Sequence, residues 1–342
     1  MGLDGRKTDP GLRTALIYGD CPMTSKNLVR PPRLAPGARV ALVAPAGLLL
    51  ERDDLVRAQA LAQALGWEPV LGAHAGGAYG YLSGTDEERL GDLNAALADP
   101  RIDAVWCIRG GYGMTRILPG VDFAAARRRP KVVIGFSDIT ALLVPLHVET
   151  GLVTFHGPMC RHELGPFSRW HLDRVVANVS APGRLGRLAP PAETLIPEKD
   201  RIATLVPGVA EGPLVGGNLT LLQCLIGTRW MPDLRGAILF IEDVGEDSYS
   251  IDRMLSHLTL TGTLQGLAGV MVGRFTELKK GGDDGAMGVD TILARYLEPL
   301  KIPVAYGYPI GHIDEQWTLP IGVRVRLDAT AGELDILEPA VV

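Results

Sequence analysis

The sequence is poor in cysteine, and no two cysteines stand close enough to share a metal or a redox motif. The four, Cys21, Cys107, Cys160 and Cys224, are scattered over 342 residues. Without a C-x-x-C spacing, neither a disulfide framework nor a zinc knuckle is supported. Cys107 and Cys224 fall in apolar runs and read as reduced core thiols. Long apolar runs are missing as well: no stretch reaches 18 residues, so no membrane span is expected. Residues 1–22 hold Asp4, Asp9 and Asp20 and no apolar export core, which makes the cytoplasm the expected compartment. Positive charge is in deficit. Lys plus Arg total 34 against 39 Asp plus Glu, a net charge of -5, so the footprint of a nucleic-acid binder is lacking. The densest basic run, Arg127, Arg128, Arg129 and Lys131, reads as a solvated helix end. A complete G-x-G-x-x-G, a GxxxxGK[ST] loop and an HExxH pair are all absent. No cofactor and no metal is therefore expected.

What is present alternates. Val40–Ala44 is a short apolar run that ends at Pro45 and Gly47, a buried strand entering a loop. A helix is predicted over 53–65, stopped by Gly66. Thr85 and Glu88 form a capping box for a second helix to about Leu97. Strands are predicted over 104–108 and 132–136, with a helix over 139–147 behind the latter. This βαβα order implies an α/β fold with a parallel sheet covered on both faces. Residues 180–213 are rich in Pro, Gly and charge and read as a linker. Beyond it, helices are predicted over 218–226, 249–260 and 289–300, and strands over 237–242, 267–272 and 303–306. Residues 323–327 and 334–337 form a terminal hairpin. The expected division is a loose extension over 1–34, an α/β domain over 35–180, loops over 181–213 and a smaller β/α domain over 214–342.

In a parallel sheet the ligand crevice lies beyond the carboxyl ends of the strands. Four segments emerge there: Arg109–Gly113, Gly135–Asp138, Glu242–Asp243 and the loop Gly307–His312. Gly110 and Gly111 could form a plain turn, or could bring backbone N–H groups to a developing negative charge. Ser137 sits at a strand-to-helix turn, but Ile139 replaces the last glycine of G-x-S-x-G, and from the residues alone a capping role is the stronger reading. Glu242 ends a buried strand, where a carboxylate needs a partner. His312 lies in a Gly/Pro-rich loop, and the order Ser, Glu, His is that of the α/β-hydrolases. His156 and His162 are six residues apart, too poor a spacing to suggest zinc.

At these residues the sequence resembles the LD-carboxypeptidases, serine peptidases that include muramoyltetrapeptide carboxypeptidases and microcin-immunity hydrolases. The likeness is carried in order by ALVAPAG (41–47), IRGGYGMTRILP (108–119), VVIGFSDITALL (132–143), TFHGPM (154–159) and GPLVGGNLTLL (212–222). It continues through LFIEDVGEDSYSIDRMLSHL (239–258), GVMVGRF (269–275) and YGYPIGHIDEQWTLPIGVRVRLD (306–328). The resemblance implies a Ser137 nucleophile, a His312 base and a Glu242 partner. Oxyanion or substrate contacts are implied at Gly110, Gly111 and Asp138. It also implies a class I glutamine amidotransferase-like N-terminal domain, a smaller C-terminal domain, a homodimer and a small peptide or muropeptide substrate.

Three functions compete. The first is a cytoplasmic carboxypeptidase cutting the L,D bond before the terminal D-Ala of a muropeptide. The second is an immunity hydrolase for a peptidyl-nucleotide of the microcin C type. The third is a non-catalytic two-lobed binding protein, disfavoured by the presence of all three triad residues.

Overall fold

The computed structural model describes residues 27–51, 53–161, 163–187, 201–278 and 287–342. In chain order the first strands are β1 (Arg39–Val43), β2 (Glu68–Leu71), β3 (Ala104–Cys107), β4 (Val132–Gly135) and β5 (Thr154–His156). All five run parallel, in the spatial order β5-β4-β3-β1-β2. β3 and β4, AVWC and VVIG, are buried at every position. Unbroken apolar runs belong at the centre of a sheet covered on both faces, and that is where they lie.

The second half contributes β6 (Gly183–Arg184), β7 (Ala203–Val206), β8 (Val209–Asn218), β9 (Ile238–Val244), β10 (Gly269–Thr276) and β11 (Val304–Tyr306). They are followed by β12 (Leu319–Ile321), β13 (Arg324–Asp328) and β14 (Glu333–Ile336). Eight of these strands form one sheet, ordered β6-β14-β13-β8-β9-β10-β11-β7, with a parallel centre from β8 to β11. β12 leaves it. It pairs antiparallel with β5 at the edge of the first sheet, Leu319 opposite His156.

Two expected boundaries shift. Part of the predicted linker over 181–213 is sheet: β6 and β7 form its two edges, and β8 starts at Val209. None of the segment's prolines lies in β6 or β7, and Pro213 lies in β8 just before its pairing with β9 begins at Leu214. Residues 188–200 of that linker lie outside the described residues. Of the predicted loose extension, residues 1–26 also lie outside them, but residues 27–34 are held. The Val29 amide donates to Gly151 and its carbonyl accepts from Val153, both at 2.9 Å, and Leu34 is buried.

The helix Thr140–Thr150 joins the two halves. Its sequence is apolar on nearly every side, and nine of its eleven residues are buried. A helix apolar all round needs neighbours all round. It packs on β4 and β5 on one side and on β8 and the helix Leu219–Leu225 on the other. The Thr140 hydroxyl accepts from the Asn218 amide at 3.0 Å, a polar tie between the halves. This helix starts at Thr140, directly after the 3₁₀ turn Ser137–Ile139, so its packing holds the turn that carries Ser137.

Candidate active site

Ser137 follows β4 and Phe136 and opens a 3₁₀ turn, Ser137–Ile139. Its φ is +60°. A side chain in the left-handed region is strained by about 1–3 kcal/mol, and such strain gathers at functional turns. The turn closes tightly because Gly135 has no side chain: a Cβ there would stand 2.8 Å from Ile139. The glycine missing from G-x-S-x-G is therefore not needed, since the side chain of Ile139 fills the space beside Gly135.

The Gly110–Gly111 turn lies against this elbow. A Cβ on Gly110 would approach Ser137 Oγ to 3.2 Å. The Gly110 carbonyl accepts from the Gly47 amide at 2.8 Å. In a trans peptide N–H and C=O point opposite ways, so the Gly111 N–H is directed away from Gly47. Asp138 ties the turn to the elbow: its buried Oδ2 accepts from the Met114 amide at 2.8 Å. Burial pushes the Asp138 carboxyl up to about 6, against the Met114 bond and the charge of Arg89. Arg89 is itself buried and donates to the Gly113 carbonyl at 3.0 Å.

Glu242 lies near the end of β9, fully buried, and its Oε2 is 2.9 Å from His312 Nδ1. Burial raises the Glu242 carboxyl; the hydrogen bond and the charge of His312 lower it. His312 comes from the loop between β11 and β12, and its side chain is 22 % exposed. The ring meets Phe136 edge-on, centroids 4.8 Å apart. The residue before Ser137 thus packs on the imidazole, and no hydrogen bond joins Ser137 to His312. Catalytic hydrogen bonds are often long without substrate and tighten when it binds. Next to Glu242, Asp243 accepts from Asn218 Nδ2 at 2.8 Å and from the Thr220 amide and hydroxyl at 2.9 Å.

A strained serine, a buried carboxylate and an imidazole bonded to that carboxylate are the groups that acyl-transfer chemistry uses. Comparison with known proteins agrees. The pattern of the LD-carboxypeptidase N-terminal domain matches residues 40–157, and that of the LD-carboxypeptidase C-terminal domain matches residues 211–327. The chain belongs to the LD-carboxypeptidase family. The murein tetrapeptide carboxypeptidase of Pseudomonas aeruginosa is 35% identical over 85% of this chain and 93% of that protein. The crystal structure of muramoyltetrapeptide carboxypeptidase from Oxalobacter formigenes covers 88% of this chain and 99% of its own, with 32% identity and a TM-score of 0.75. A structure of the microcin C7 self-immunity protein MccF, a protein known from Escherichia coli, covers 92% of this chain and 99% of its own, with 27% identity and a TM-score of 0.81. As a member of this family the protein is a serine-type carboxypeptidase.

Other candidates from the sequence separate. Cys107 and Cys160 are buried, and burial raises both thiols. Cys224 is exposed, which corrects its expected place in the core: it lies on the outer face of a short helix whose apolar positions are its neighbours. Cys21 and His162 lie outside the described residues. No helix among the described residues is long and apolar enough to cross a membrane.

Beside the site lies a residue whose sequence spacing offers nothing more than a poor zinc ligand. His156 is fully buried, neither ring nitrogen has a hydrogen-bond partner, and it packs between Phe136 and Phe240. Burial, then the charge of His312, lowers it to about 3. Its position in TFHGPM gave the only sequence signal.

Proposed function

We propose that this carboxypeptidase hydrolyses the L,D amide bond before the terminal D-Ala of muropeptide tetrapeptides, a step of murein recycling in the cytoplasm. Ser137 is the nucleophile, His312 the base and Glu242 its partner. The observation that carries this is the buried Glu242–His312 pair set by Phe136 beside a strained Ser137.

The bond from Glu242 to Nδ1 holds the imidazole in the tautomer whose Nε2 is free to accept a proton. Nε2 takes the Ser137 proton as Oγ attacks the carbonyl carbon. The imidazolium that forms is stabilised by the carboxylate, which burial has stripped of competing water. Negative charge on the carbonyl oxygen is met by the N–H of Gly111, freed by the Gly110–Gly47 bond, and by that of Asp138. Each such donor contributes about 3–4 kcal/mol in comparable enzymes. Gly110 allows the close approach. His312 then protonates the D-Ala amine, and water, activated by the same imidazole, resolves the acyl-enzyme.

Incubating the protein with a tetrapeptide ending in D-Ala and, separately, with an aminoacyl-sulfamoyl adenosine tests the reading by which amide is cut. Release of D-Ala supports it; cleavage of the nucleotide conjugate alone favours the second reading, an immunity hydrolase, which the fold likeness to MccF supports. The homodimer implied by family resemblance is part of the proposal, and light scattering that gave the mass of one chain would remove it.

A further inference from the structure

Arg109 opens the proposed oxyanion turn, Arg161 follows the segment whose Met159 packs against Gly110, and no carboxylate pairs with either among the described residues. Arg109 leads into Gly110. Its Cζ lies 3.7 Å from where a Cβ on Gly111 would stand, and its Nη1 lies 3.4 Å from the same point on Gly47. Nη1 donates to the Leu48 carbonyl. Arg161 ends the segment after β5, which is held to β3 by the Cys160 amide donating to the Cys107 carbonyl at 3.4 Å. Its Nε is buried and bonds to nothing. Burial first, then the charge of Arg161, lowers the Arg109 group.

Asp54 is the carboxylate whose field reaches both arginines. Its oxygens are engaged elsewhere: Oδ2 accepts from the Leu50 and Glu51 amides at 3.1 and 3.2 Å, and Oδ1 from Arg57 at 2.9 Å. Two like charges held together repel unless an anion comes between or beside them. A guanidinium presents a planar fork that matches a carboxylate. In front of Arg109 opens a cavity of about 580 Å³, lined also by Gly111, Leu48, Tyr81 and Tyr112.

We propose that Arg109, with Arg161 beside it, binds the free C-terminal carboxylate of the substrate and so makes the enzyme cut only the last residue. The proposal rests on Ser137 as nucleophile and on peptide as substrate. In a peptide cut before its last residue, a single Cα separates the scissile nitrogen from the terminal carboxylate. That carboxylate therefore lies a few ångströms from the oxyanion donors, and the cation that holds it must stand beside Gly111, as Arg109 does. A substrate without the carboxylate leaves desolvated guanidinium groups unpaired, a penalty that discriminates strongly. The apolar and aromatic walls of the cavity accept the rest of the peptide without adding charge.

The test measures kcat/KM on a tetrapeptide ending in D-Ala as the free acid, as its terminal amide, and with the D-Glu α-carboxyl amidated instead. The enzymes are wild type, Arg109→Gln, Arg161→Gln and Arg161→Lys. Wild type should prefer the free acid to the terminal amide by about 10²-fold or more. Both Gln variants should pull that ratio towards one, and Arg161→Lys should recover part of it. A structural role would lower both substrates together and leave the ratio unmoved; that result overturns the proposal, as does a wild type that cuts acid and terminal amide alike. A preference that the variants erase at the D-Glu carboxyl would assign the arginines to the acyl part and also overturn it. If wild type cuts none of the peptides, the peptidase reading falls and takes this inference with it. Cleavage of acid and amide at equal rates removes the inference alone.

Discussion

Gly311 lies so close to Glu242 that a Cβ on it would stand 2.6 Å from Oε2, the oxygen that holds His312. Its φ of +108° is open to glycine and strained for any other residue. The loop that carries the imidazole can therefore cross the carboxylate only with no side chain at this position. The carboxylate–imidazole pair of the site is set by backbone shape as much as by the two groups themselves.

Gly311→Ala is expected to displace His312 from Glu242. The overall fold should survive, with a melting temperature lowered by the backbone strain, about 1–3 kcal/mol. kcat should fall by about 10²-fold or more, with KM changed far less, because the groups proposed to bind substrate, Gly111 and Arg109, belong to the turn after β3 and not to the His312 loop. Steady-state kinetics and a thermal melt check this; unchanged kcat would show that the Glu242–His312 bond is not needed.

The stability of the protein should depend on pH through two buried groups of opposite sign. Asp138 keeps its proton to about 6 in the folded chain, against 3.8 as its ordinary value. Between those values the folded state binds more protons than the unfolded one, so stability falls as pH rises, by up to about 3 kcal/mol. His156 is lowered from 6.5 to about 3, so it stays neutral where the unfolded chain is protonated. Its contribution is lost as pH falls from 6.5 towards 3. The two slopes oppose each other between about pH 4 and 6. Relative to wild type, Asp138→Asn should gain stability more at pH 8 than at pH 4.5, and His156→Leu more at pH 4.5 than at pH 8. Calorimetry at the two pH values would show otherwise if both differences kept one sign and size.

How much of this could be read beforehand varied with the kind of information. β3 and β4 are continuous apolar runs bounded by glycine or charge, and local sequence suffices for them. Ser137, Glu242 and His312 each lie at the end of a strand or in the loop after one, where residue type alone narrows the chemistry. β12 could not be placed, because three residues, Leu319–Ile321, contain no signal of which sheet they will join; pairing with His156 is a tertiary choice. Within the proline-rich 181–213 segment, β6 and β7 were hidden because they are short edge strands, and the start of β8 because Pro213 interrupts its apolar pattern. Arg109 and Arg161 are 52 positions apart, and their segments meet only in the fold, through the bonds from Cys160 to Cys107 and from Trp106 to Pro158.

A thiol or metal mechanism predicts sensitivity that this site should not show. Cys160 is buried and its thiol is raised by desolvation, so it holds little of the reactive thiolate. Cys160→Ala should retain most activity, at a stability cost of about 1 kcal/mol for the small cavity. EDTA should leave the rate unchanged. Loss of turnover in either experiment by a folded protein would return the thiol or the metal to consideration.

The sharpest prediction concerns Ser137 itself, because its backbone and its hydroxyl can be separated. Ser137→Ala removes the hydroxyl and keeps the strained φ of +60°. Ser137→Gly removes the hydroxyl and relieves the strain, since glycine enters the left-handed region freely. If the elbow stores strain for the sake of the nucleophile, both variants should lose activity by orders of magnitude, as loss of a triad member does elsewhere. Only the glycine variant should also gain stability, by about 1 kcal/mol after the added chain entropy of its unfolded state is subtracted. Adding His312→Ala to Ser137→Ala should cost almost nothing further, because the residues act as one unit. Melting curves and single-turnover rates for the three proteins decide the matter. Near-normal turnover by Ser137→Ala would sink the serine mechanism. An inactive Ser137→Gly that melts below wild type would show instead that the turn is held by its neighbours without strain.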